Sequence, residues 1–211
     1  MLKRLNISEE RIEWHERYDH TTVYSADHML FACIAPPTHP EVWLRIRHLL
    51  GVSDVLTVPR SQSKIMYLSR RHGTHSAGAR QTVNEDEVIE FLKRRYGSDR
   101  VLVFSGSRGL QGDITLYGTV SVLIGVHGGA FYNLNFAPLD AAVIEFVPTL
   151  GDGRKDIPNC STSIFWLMAD LLGQNYWRVQ SASLTGSHNV KIDIGKLKRI
   201  LDAVESTSTS L

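Results

Sequence analysis

A largely apolar stretch between residues 119 and 148 shows the clearest pattern in the chain. Its first part, Val120 to Val126, is rich in β-branched residues and does not alternate with polar ones, which is typical of a strand buried on both faces of a parallel sheet. A His127-Gly128-Gly129 turn follows, a short helical segment ends at Pro138, and Ala141 to Val147 is predicted to be a second buried strand. Such a unit directs the first N–H groups of its helix towards the carboxyl edge of the sheet, where anions such as phosphate bind.

Strands and helices alternate along most of the chain. Two further short apolar segments, residues 64–69 and 100–105, are predicted to be strands. Amphipathic or capped segments predict helices at residues 40–51, 85–97, 110–118, 162–172 and 193–204. Four strands interleaved with helices predict an α/β fold with a Rossmann-like, doubly wound parallel sheet.

The helix predicted at residues 85–97 has the most complete end signals. Asn84 is a good N-cap, and three acidic residues follow it in the first turn, where they interact favourably with the helix dipole. Basic residues close the last turn, and Gly97 occupies the position after the helix where glycine is preferred.

We expect three parts along the chain. Residues 61–205 form the Rossmann-like domain, and residues 206–211, rich in Ser and Thr, form a disordered tail. Residues 1–60 contain a predicted hairpin or pair of edge strands at 18–34 and the helix at 40–51, which are too few elements for a core of their own. They are expected to pack on the domain as a connector or to be the remnant of an amino-terminal domain.

The charge of the chain is nearly balanced but unevenly placed. A formal net charge of +1 gives no general driving force for nucleic acid binding. Lys and Arg are concentrated between residues 64 and 108 and absent between residues 111 and 153, which favours a local anion site over a basic surface. There is no run of about 18 apolar residues, and the first residues lack the apolar core of a signal peptide, so we expect neither a membrane span nor a leader.

Four side chains on or near the predicted strands are candidates for ligand contact. Arg70 and Arg71 follow the strand at 64–69 and would share a sheet edge with His127, where guanidinium groups can bind a diphosphate bidentately. A solvated basic loop is the alternative for each arginine, and a turn histidine bonded to backbone is the alternative for His127. Glu145 lies within an apolar strand, so its charge needs a partner. It either pairs, for example with an arginine, or accepts hydrogen bonds from sugar hydroxyls.

At these residues the chain resembles glycosyltransferase family 61, a group of inverting, nucleotide-sugar-dependent enzymes with the two-domain GT-B architecture. The resemblance spans roughly Lys64 to Trp177 and rests on elements in a fixed order. They are the strand end Tyr67-Leu68-Ser69-Arg70, an arginine before an Asn-Glu helix (Arg80, Asn84, Glu85), the strand VLIGVHG, an Asn six residues after its His, and VIEFVP. The resemblance implies that this half is the carboxyl-terminal, nucleotide-binding domain.

The resemblance also implies roles for individual residues. Arg70, Arg80 and the turn at His127 would hold the diphosphate and stabilise it as it leaves. The predicted nucleotide-sugar contacts are Arg70, Arg80, His127, Gly128, Gly129, Ala130, Asn133 and Glu145. The chain departs from the family pattern at the turn, where it has His-Gly-Gly-Ala in place of His-Gly-Ala-Gly, and at Asp113, where Gln is usual.

Two other functions stay open on the sequence. The turn from His127 to Phe131 is also similar to the oxyanion-hole turn of α/β-hydrolase esterases, but the Gly-x-Ser-x-Gly elbow that those enzymes need occurs nowhere in the chain. A noncatalytic nucleotide- or glycan-binding module is the second alternative, because the amino-terminal acceptor half of the family is much shortened here.

We therefore predict transfer of a sugar from a nucleoside diphosphate donor, UDP-linked by resemblance, to a hydroxyl of a glycan or glycoprotein acceptor with inversion. His127 is the predicted catalytic residue, either in the leaving-group site or as the base, and Asp27, His28 and Asp113 are further candidates for the base. No Asp-x-Asp signature is present, so no obligatory metal or other cofactor is expected. The family resemblance implies the ER or Golgi lumen for a eukaryotic protein, and a partner supplying the missing amino-terminal half. For a bacterial protein we expect the cytoplasm, because the sequence shows no signal peptide or membrane segment.

Overall fold

The structure is a computed structural model that describes residues 39–71, 81–149, 160–182 and 189–208, together with residues 8 and 10. Its strands are β1 (Lys64–Leu68), β2 (Val101–Phe104), β3 (Val120–Val126), β4 (Ala142–Thr149) and β5 (Asn175–Ala182). Its helices are α1 (Pro40–Leu50), α2 (Glu85–Tyr96), α3 (Leu110–Tyr117), α4 (Cys160–Leu171) and α5 (Ile194–Ser208), with a short 3₁₀ turn (Arg60–Gln62) and a longer 3₁₀ helix (Gly129–Phe136). The five strands form one parallel sheet, which confirms the predicted α/β, Rossmann-like fold.

The strand order, β2-β1-β3-β4-β5, changes direction between β1 and β3. From β1 the chain moves outwards to β2 and then returns to the other side of β1, where β3, β4 and β5 follow. In open parallel sheets, ligands bind in the crevice that forms outside the carboxyl ends of the two strands at such a reversal. Residues 69–71, after β1, and residues 127–129, after β3, therefore lie at the expected ligand edge.

Helices cover both faces of the sheet, as the doubly wound prediction requires. On one face α2 and α5 pack over strand residues such as Ile124 and Ile144. On the other face α3, α4 and the 3₁₀ helix pack over Leu123 and Val143. Because neighbouring residues in a strand point to opposite faces, β3 and β4 are apolar almost throughout.

The sequence predicts four strands, and the structure adds a fifth, β5, at the edge of the sheet. An edge strand is only partly covered, so β5 lacks the continuous apolar run that marks β3 and β4. Its signal is the alternation of Trp177 and Val179 with Arg178 and Gln180, which is typical of a half-buried strand. The hairpin predicted at residues 18–34 lies outside the described residues.

The described part of the predicted connector packs against the domain. Helix α1 ends at Gly51, whose φ of 67° is in the left-handed region that glycine favours. Arg47 of α1 is 1% exposed, and its guanidinium donates to the backbone carbonyls of Asn135 at 2.5 Å and Ala137 at 2.7 Å. Because these carbonyls end the 3₁₀ helix, α1 is tied directly to the segment that begins at the glycine turn.

The start of α2 differs from the prediction in one respect. Asn84 occupies the N-cap position, but its side chain makes no capping hydrogen bond. Its amide instead exchanges two hydrogen bonds with the backbone N–H and C=O of Ile192, each at 2.9 Å. This contact joins residues far apart in the chain, which a local sequence pattern does not reveal. Gly97 follows α2 with φ 87°, as predicted.

The last helix is longer than predicted. Helix α5 continues to Ser208, so the predicted tail of residues 206–211 starts as helix. The reason is local: the hydroxyls of Ser206 and Thr207 both donate to the Ala203 carbonyl, at 2.8 and 2.9 Å, and so satisfy an acceptor near the helix end. Residues 209–211 lie outside the described residues.

Candidate functional site

The carboxyl ends of β1 and β3 bring two predicted site residues together. Arg70 lies two residues after β1, and His127 directly follows β3. Nη1 of Arg70 donates to the backbone carbonyl of His127 at 2.7 Å. This bond holds the half-buried guanidinium against the turn, so a positive charge lies where the strand order changes direction.

The two glycines of the turn have different surroundings. A Cβ atom on Gly128 would lie 2.2 Å from Nη1 of Arg70, whereas a Cβ atom on Gly129 would meet no heavy atom of the described residues within 4 Å. Gly128 has an extended φ of 169°, which any residue can adopt. A glycine is therefore needed at this position because a side chain would not fit, and not because of the backbone conformation. Gly128 thus leaves room for Arg70, and Gly129 leaves an open surface at the start of the 3₁₀ helix. Ala130, the next predicted contact, is half-buried against the core.

A buried chain of hydrogen bonds lies behind the turn. Nδ1 of His127 is hydrogen-bonded to Oε1 of Glu145, and the hydroxyl of Tyr176 in β5 donates to Oε2 of the same carboxylate. Glu145 is fully buried, and His127 is 8% exposed. Burial, followed by the charge and hydrogen bond of Glu145, raises the pKa of the Tyr176 hydroxyl. Tyr176 therefore stays protonated and acts as the donor.

This chain of bonds places an acceptor for the Nδ1 proton of His127. With Tyr176 donating to one oxygen, the Glu145 carboxylate has its other oxygen beside Nδ1, where it can accept that proton from a neutral imidazole. The ring lone pair then lies on Nε2, which is the form that can accept a proton from a hydroxyl group. The ring also packs against Phe165 of α4, with 5.2 Å between ring centroids, which restricts its orientation. The arrangement can orient His127 as a general base.

The structure favours the pairing role for Glu145, with partners different from the expected arginine. The two carboxylate oxygens are bonded to His127 and Tyr176, while Arg178 is the residue opposite Glu145 in the β4–β5 register. Because Glu145 is 0% exposed, this burial argues against the predicted direct contact with a nucleotide sugar. Glu145 can act on a ligand through His127.

Asn133 and Arg80 are the remaining predicted contacts. Asn133 is half-buried on the 3₁₀ helix and lies next to the Tyr117 hydroxyl of α3, whose pKa is raised by burial and lowered by the Asn133 amide. Asn133 therefore lies beside α3, and its predicted contact with a nucleotide sugar stays a prediction. Arg80 lies outside the described residues, as do Asp27 and His28, so the roles assigned to these three stay predictions.

Asp113 is not placed to act as a base. Its carboxylate accepts hydrogen bonds from the Ser107 hydroxyl at 2.5 Å and from the Arg108 backbone N–H at 2.9 Å. The residue is 3% exposed and closes the loop that leads into α3. The carboxylate of Asp113 therefore stabilises its own loop, and this argues against the predicted role of Asp113 as a base.

Sequence reasoning missed three residues of this edge. Tyr176 lies in β5, which the sequence did not predict, and Phe165 resembles an ordinary core residue of α4. Glu85 is 4% exposed at the start of α2, where it accepts from the Ser69 hydroxyl at 2.7 Å and lies 3.5 Å from Nε of Arg71. In the sequence it looks like one of several dipole-favouring acids, and only its burial distinguishes it.

Two absences hold for the part of the chain that the structure describes. Within it, no group of three or more His, Cys, Asp or Glu side chains is arranged to hold a metal ion. No helix in those same ranges is both long and apolar enough to cross a membrane. The expectation of metal-independent chemistry stays a prediction, because the first finding covers only those residues.

The fold is that of a Rossmann-like α/β protein, and Arg70 and the turn at His127 meet where the strand order changes direction. The family model described as Glycosyltransferase 61 matches residues 2–144, and the chain belongs to glycosyltransferase family 61. No curated protein matches the chain. The match covers the predicted connector, which the resemblance from Lys64 to Trp177 left out, and it ends just before Glu145. Membership supports a glycosyltransferase-like function and removes the case for an esterase.

Proposed function

We propose that this protein transfers a sugar from a nucleoside diphosphate sugar, UDP-linked, to an acceptor hydroxyl with inversion at the anomeric carbon. The observation that supports this best is the hydrogen-bonded pair of His127 and Glu145 beside Arg70 at the carboxyl edge of the sheet. Inversion needs a base for the acceptor hydroxyl and positive charge for the departing diphosphate. This edge supplies a candidate for each.

His127 is the base in this proposal. Its Nε2 atom takes the proton of the acceptor hydroxyl while the hydroxyl oxygen forms a bond to the anomeric carbon. The bond from that carbon to the diphosphate oxygen breaks, and the nucleoside diphosphate leaves with the electron pair. Glu145 stabilises the imidazolium that results, in the way that a buried carboxylate supports a catalytic histidine.

Arg70 and the glycine turn receive the leaving diphosphate. The guanidinium can make charge-assisted hydrogen bonds to phosphate oxygens, and the backbone at Gly129 is exposed, with no atom of the described residues near the missing side chain. Arg80 is a second predicted cation of this site. With arginines and backbone amides neutralising the charge, the mechanism uses no divalent cation.

The acceptor, a glycan or glycoprotein, would approach the same edge. In the GT-B architecture that the family resemblance implies, a second domain faces the carboxyl edge of the nucleotide-binding domain. Residues 1–60 together with a partner would supply that surface in this proposal. The packing of α1 on the 3₁₀ helix through Arg47 makes the connector part of the framework that holds the turn.

The test combines calorimetric titration with UDP and a turnover assay on a panel of UDP-sugars. Arg70→Ala should weaken UDP binding about 10- to 100-fold, the effect of losing one or two charge-assisted contacts. Arg71→Ala is the matched control, because the neighbouring Arg71 is paired with Asp86 at 2.9 Å, and it should leave UDP affinity unchanged. His127→Gln should keep UDP affinity and lose turnover by about 100-fold or more.

Three outcomes would contradict the proposal. If the Arg70→Ala variant binds UDP as tightly as the parent, Arg70 does not contact the diphosphate. If the His127→Gln variant keeps the turnover of the parent, His127 is not the base. UDP binding without turnover of any donor, with an acceptor panel present, identifies a binding module. The same assay in EDTA tests the metal prediction, since loss of turnover that manganese restores would reject it.

A further inference from the structure

The 3₁₀ helix that starts at the glycine turn is covered on two sides and open on a third. Its side chains repeat every three residues, because a 3₁₀ helix has three residues per turn. Phe131 and Leu134 are fully buried, whereas Ala130 and Asn133 are half-buried. The remaining side begins with the exposed Gly129.

Gly129 and Tyr132 form this open side, which we call the open face. The two residues are one turn apart, about 6 Å along the helix axis. Gly129 is exposed, a side-chain carbon on it would contact nothing within 4 Å among the residues that the structure describes, and Tyr132 is 51% exposed. The face ends there, because Asn135, one turn further, is buried at 4% exposure. The open face is thus a short stretch of exposed backbone at Gly129 with the aromatic ring of Tyr132 at one end.

The ring of Tyr132 is half exposed and packs on one side against a buried ring. It makes a perpendicular contact with Phe165, with 5.1 Å between centroids and 78° between ring planes. Phe165 in turn lies 5.5 Å from Phe131 and 5.2 Å from the ring of His127. Tyr132 is therefore separated from His127 by one buried ring, and the same ring positions both. An exposed aromatic held in place beside a candidate base is arranged as a binding surface.

We propose that the open face, Gly129 and Tyr132, is a stacking subsite for a pyranose ring. This inference rests on the proposed function, since it places a sugar next to the base and the leaving-group site. One face of many pyranoses consists of C–H groups, which are attracted to the negatively charged face of an aromatic ring. The exposed backbone at Gly129 allows the hydroxyl-bearing edge of the sugar to approach, and only the ring of Phe165 lies between Tyr132 and His127 among the described ring contacts.

Two sugars could supply this chemistry, the donor sugar attached to UDP or a sugar of the acceptor. The experiment therefore has two arms and a nucleotide control. Calorimetry compares UDP with a panel of UDP-sugars, namely UDP-glucose, UDP-xylose and UDP-N-acetylglucosamine. Saturation-transfer NMR measures the binding of the corresponding methyl glycosides. Each is applied to the parent protein, to Tyr132→Ala and to Tyr132→Phe, which keeps the ring and removes only the hydroxyl.

If the donor sugar occupies the subsite, Tyr132→Ala should remove the affinity advantage of a UDP-sugar over UDP, a loss of about 10-fold for one aromatic stacking surface. If an acceptor sugar occupies it, the same variant should weaken methyl glycoside binding by a similar factor. In both cases Tyr132→Phe should bind like the parent. Tyr132→Leu, which keeps an apolar contact to Phe165 without a ring, replaces the alanine variant if that variant melts at a lower temperature.

Two results would overturn the subsite. Unchanged sugar binding in both arms for a folded variant without the ring leaves Tyr132 no role in sugar binding. An equal loss for UDP and the UDP-sugars, with glycosides unaffected, assigns the ring to the nucleobase. The proposed function is read separately from the same data, because it fails if UDP does not bind the parent. In that case the binding of methyl glycosides to the parent and the Tyr132 variants still tests the subsite.

Discussion

The two ends of the 3₁₀ helix are each held by an arginine, but the two arginines are placed for different tasks. At the last turn, Arg47 is 1% exposed and its guanidinium is enclosed by protein acceptors. It donates to the carbonyls of Asn135, Ala137 and Ser53 and to the carboxylate of Asp54. At the first turn, Arg70 is half-buried at the sheet edge and donates to the His127 carbonyl beside the open surface of Gly129.

The difference shows how to distinguish a structural arginine from a candidate ligand-binding one. Burial lowers the pKa of Arg47, and the hydrogen bond and charge of Asp54 oppose that effect. Its charge is thus compensated inside the protein, where a ligand does not reach it. The guanidinium of Arg70 is held against a turn that lacks side chains, at the position where the change in strand order opens a crevice. We therefore expect changes at the last turn to affect stability and changes at the first turn to affect ligand binding and turnover.

The largest expected effect is on stability, from Arg47→Ala. The substitution leaves two buried backbone carbonyls and one part-buried carbonyl without their donor, so we expect a loss of about 3 kcal/mol or more in the free energy of unfolding. Urea denaturation measures it. Arg45→Ala is the matched control on the exposed side of the same helix and should change stability by less than about 0.5 kcal/mol. Equal stability of both variants would remove the contrast between the two ends.

The next effect is on turnover, from Glu145→Gln. A neutral amide keeps the shape of the carboxylate but does not stabilise an imidazolium, and its N–H group can donate to Nδ1 and select the other tautomer. We expect turnover to fall by about 100-fold while UDP affinity stays the same. Tyr176→Phe should cause a smaller loss, because the carboxylate still accepts from His127. Steady-state kinetics with a UDP-sugar would refute the positioning role if Glu145→Gln turned over like the parent.

A third pair of variants examines the first turn alone. Gly128→Ala places a methyl group 2.2 Å from Nη1 of Arg70, so the guanidinium must move, and UDP affinity should fall by about 10-fold. Gly129→Val projects from an exposed position into space that no described residue fills, so the melting temperature should be unchanged while UDP binding is blocked. Ala130→Gly should bind normally. Normal UDP binding by the Gly129→Val variant would show that the phosphate does not bind at this turn.

The smallest effect concerns a region remote from both ends, the contact between α2 and α5. Hydrogen bonds from Arg95 and Lys198 lower the pKa of Asp202. Burial raises the pKa of Glu205, but hydrogen bonds from Arg95 and Tyr96 outweigh it and lower the pKa overall.

Carboxylates with a lowered pKa stabilise the fold above their unfolded-state pKa of about 4, and this contribution is lost as the pH falls through the lower folded-state value. Stability should therefore fall modestly between pH 5 and pH 3, by roughly the small amount typical of exposed ion pairs. Urea unfolding at each pH measures the slope. Arg95→Ala should flatten it, and an unchanged slope would contradict the assignment. If turnover is lost above the pH range in which stability falls, the loss is then due to a change at the first turn of the 3₁₀ helix and not to unfolding.

The sequence predicts the framework well because the framework depends on local and periodic signals. The apolar runs of β3 and β4 identify a parallel sheet, and Gly51 and Gly97 mark helix ends that the structure confirms. The strand ends place Arg70 and His127 on one edge without knowledge of the tertiary structure. The edge strand β5 escapes prediction because its residues are mixed in polarity.

The candidate site is less predictable, because its contacts join distant parts of the chain. The bond between His127 and Glu145 spans two strands, and its partner Tyr176 comes from the strand that the pattern does not reveal. The sequence indicates that Glu145 needs a partner, but not which one. Asp113 illustrates the reverse case, since its carboxylate looks available in the sequence and is used by its own loop in the structure.

The central claim is that a nucleotide diphosphate binds at the first turn of the 3₁₀ helix, next to the base. The most direct measurement is an NMR titration of ¹⁵N-labelled protein with UDP, with uridine as the control that lacks phosphate. Our account predicts that UDP shifts the backbone amides of residues 127–130 and the Nε–H signal of Arg70, in EDTA as well as without it, and that uridine leaves them in place. UDP shifts that occur elsewhere in the protein while these signals stay fixed would contradict it.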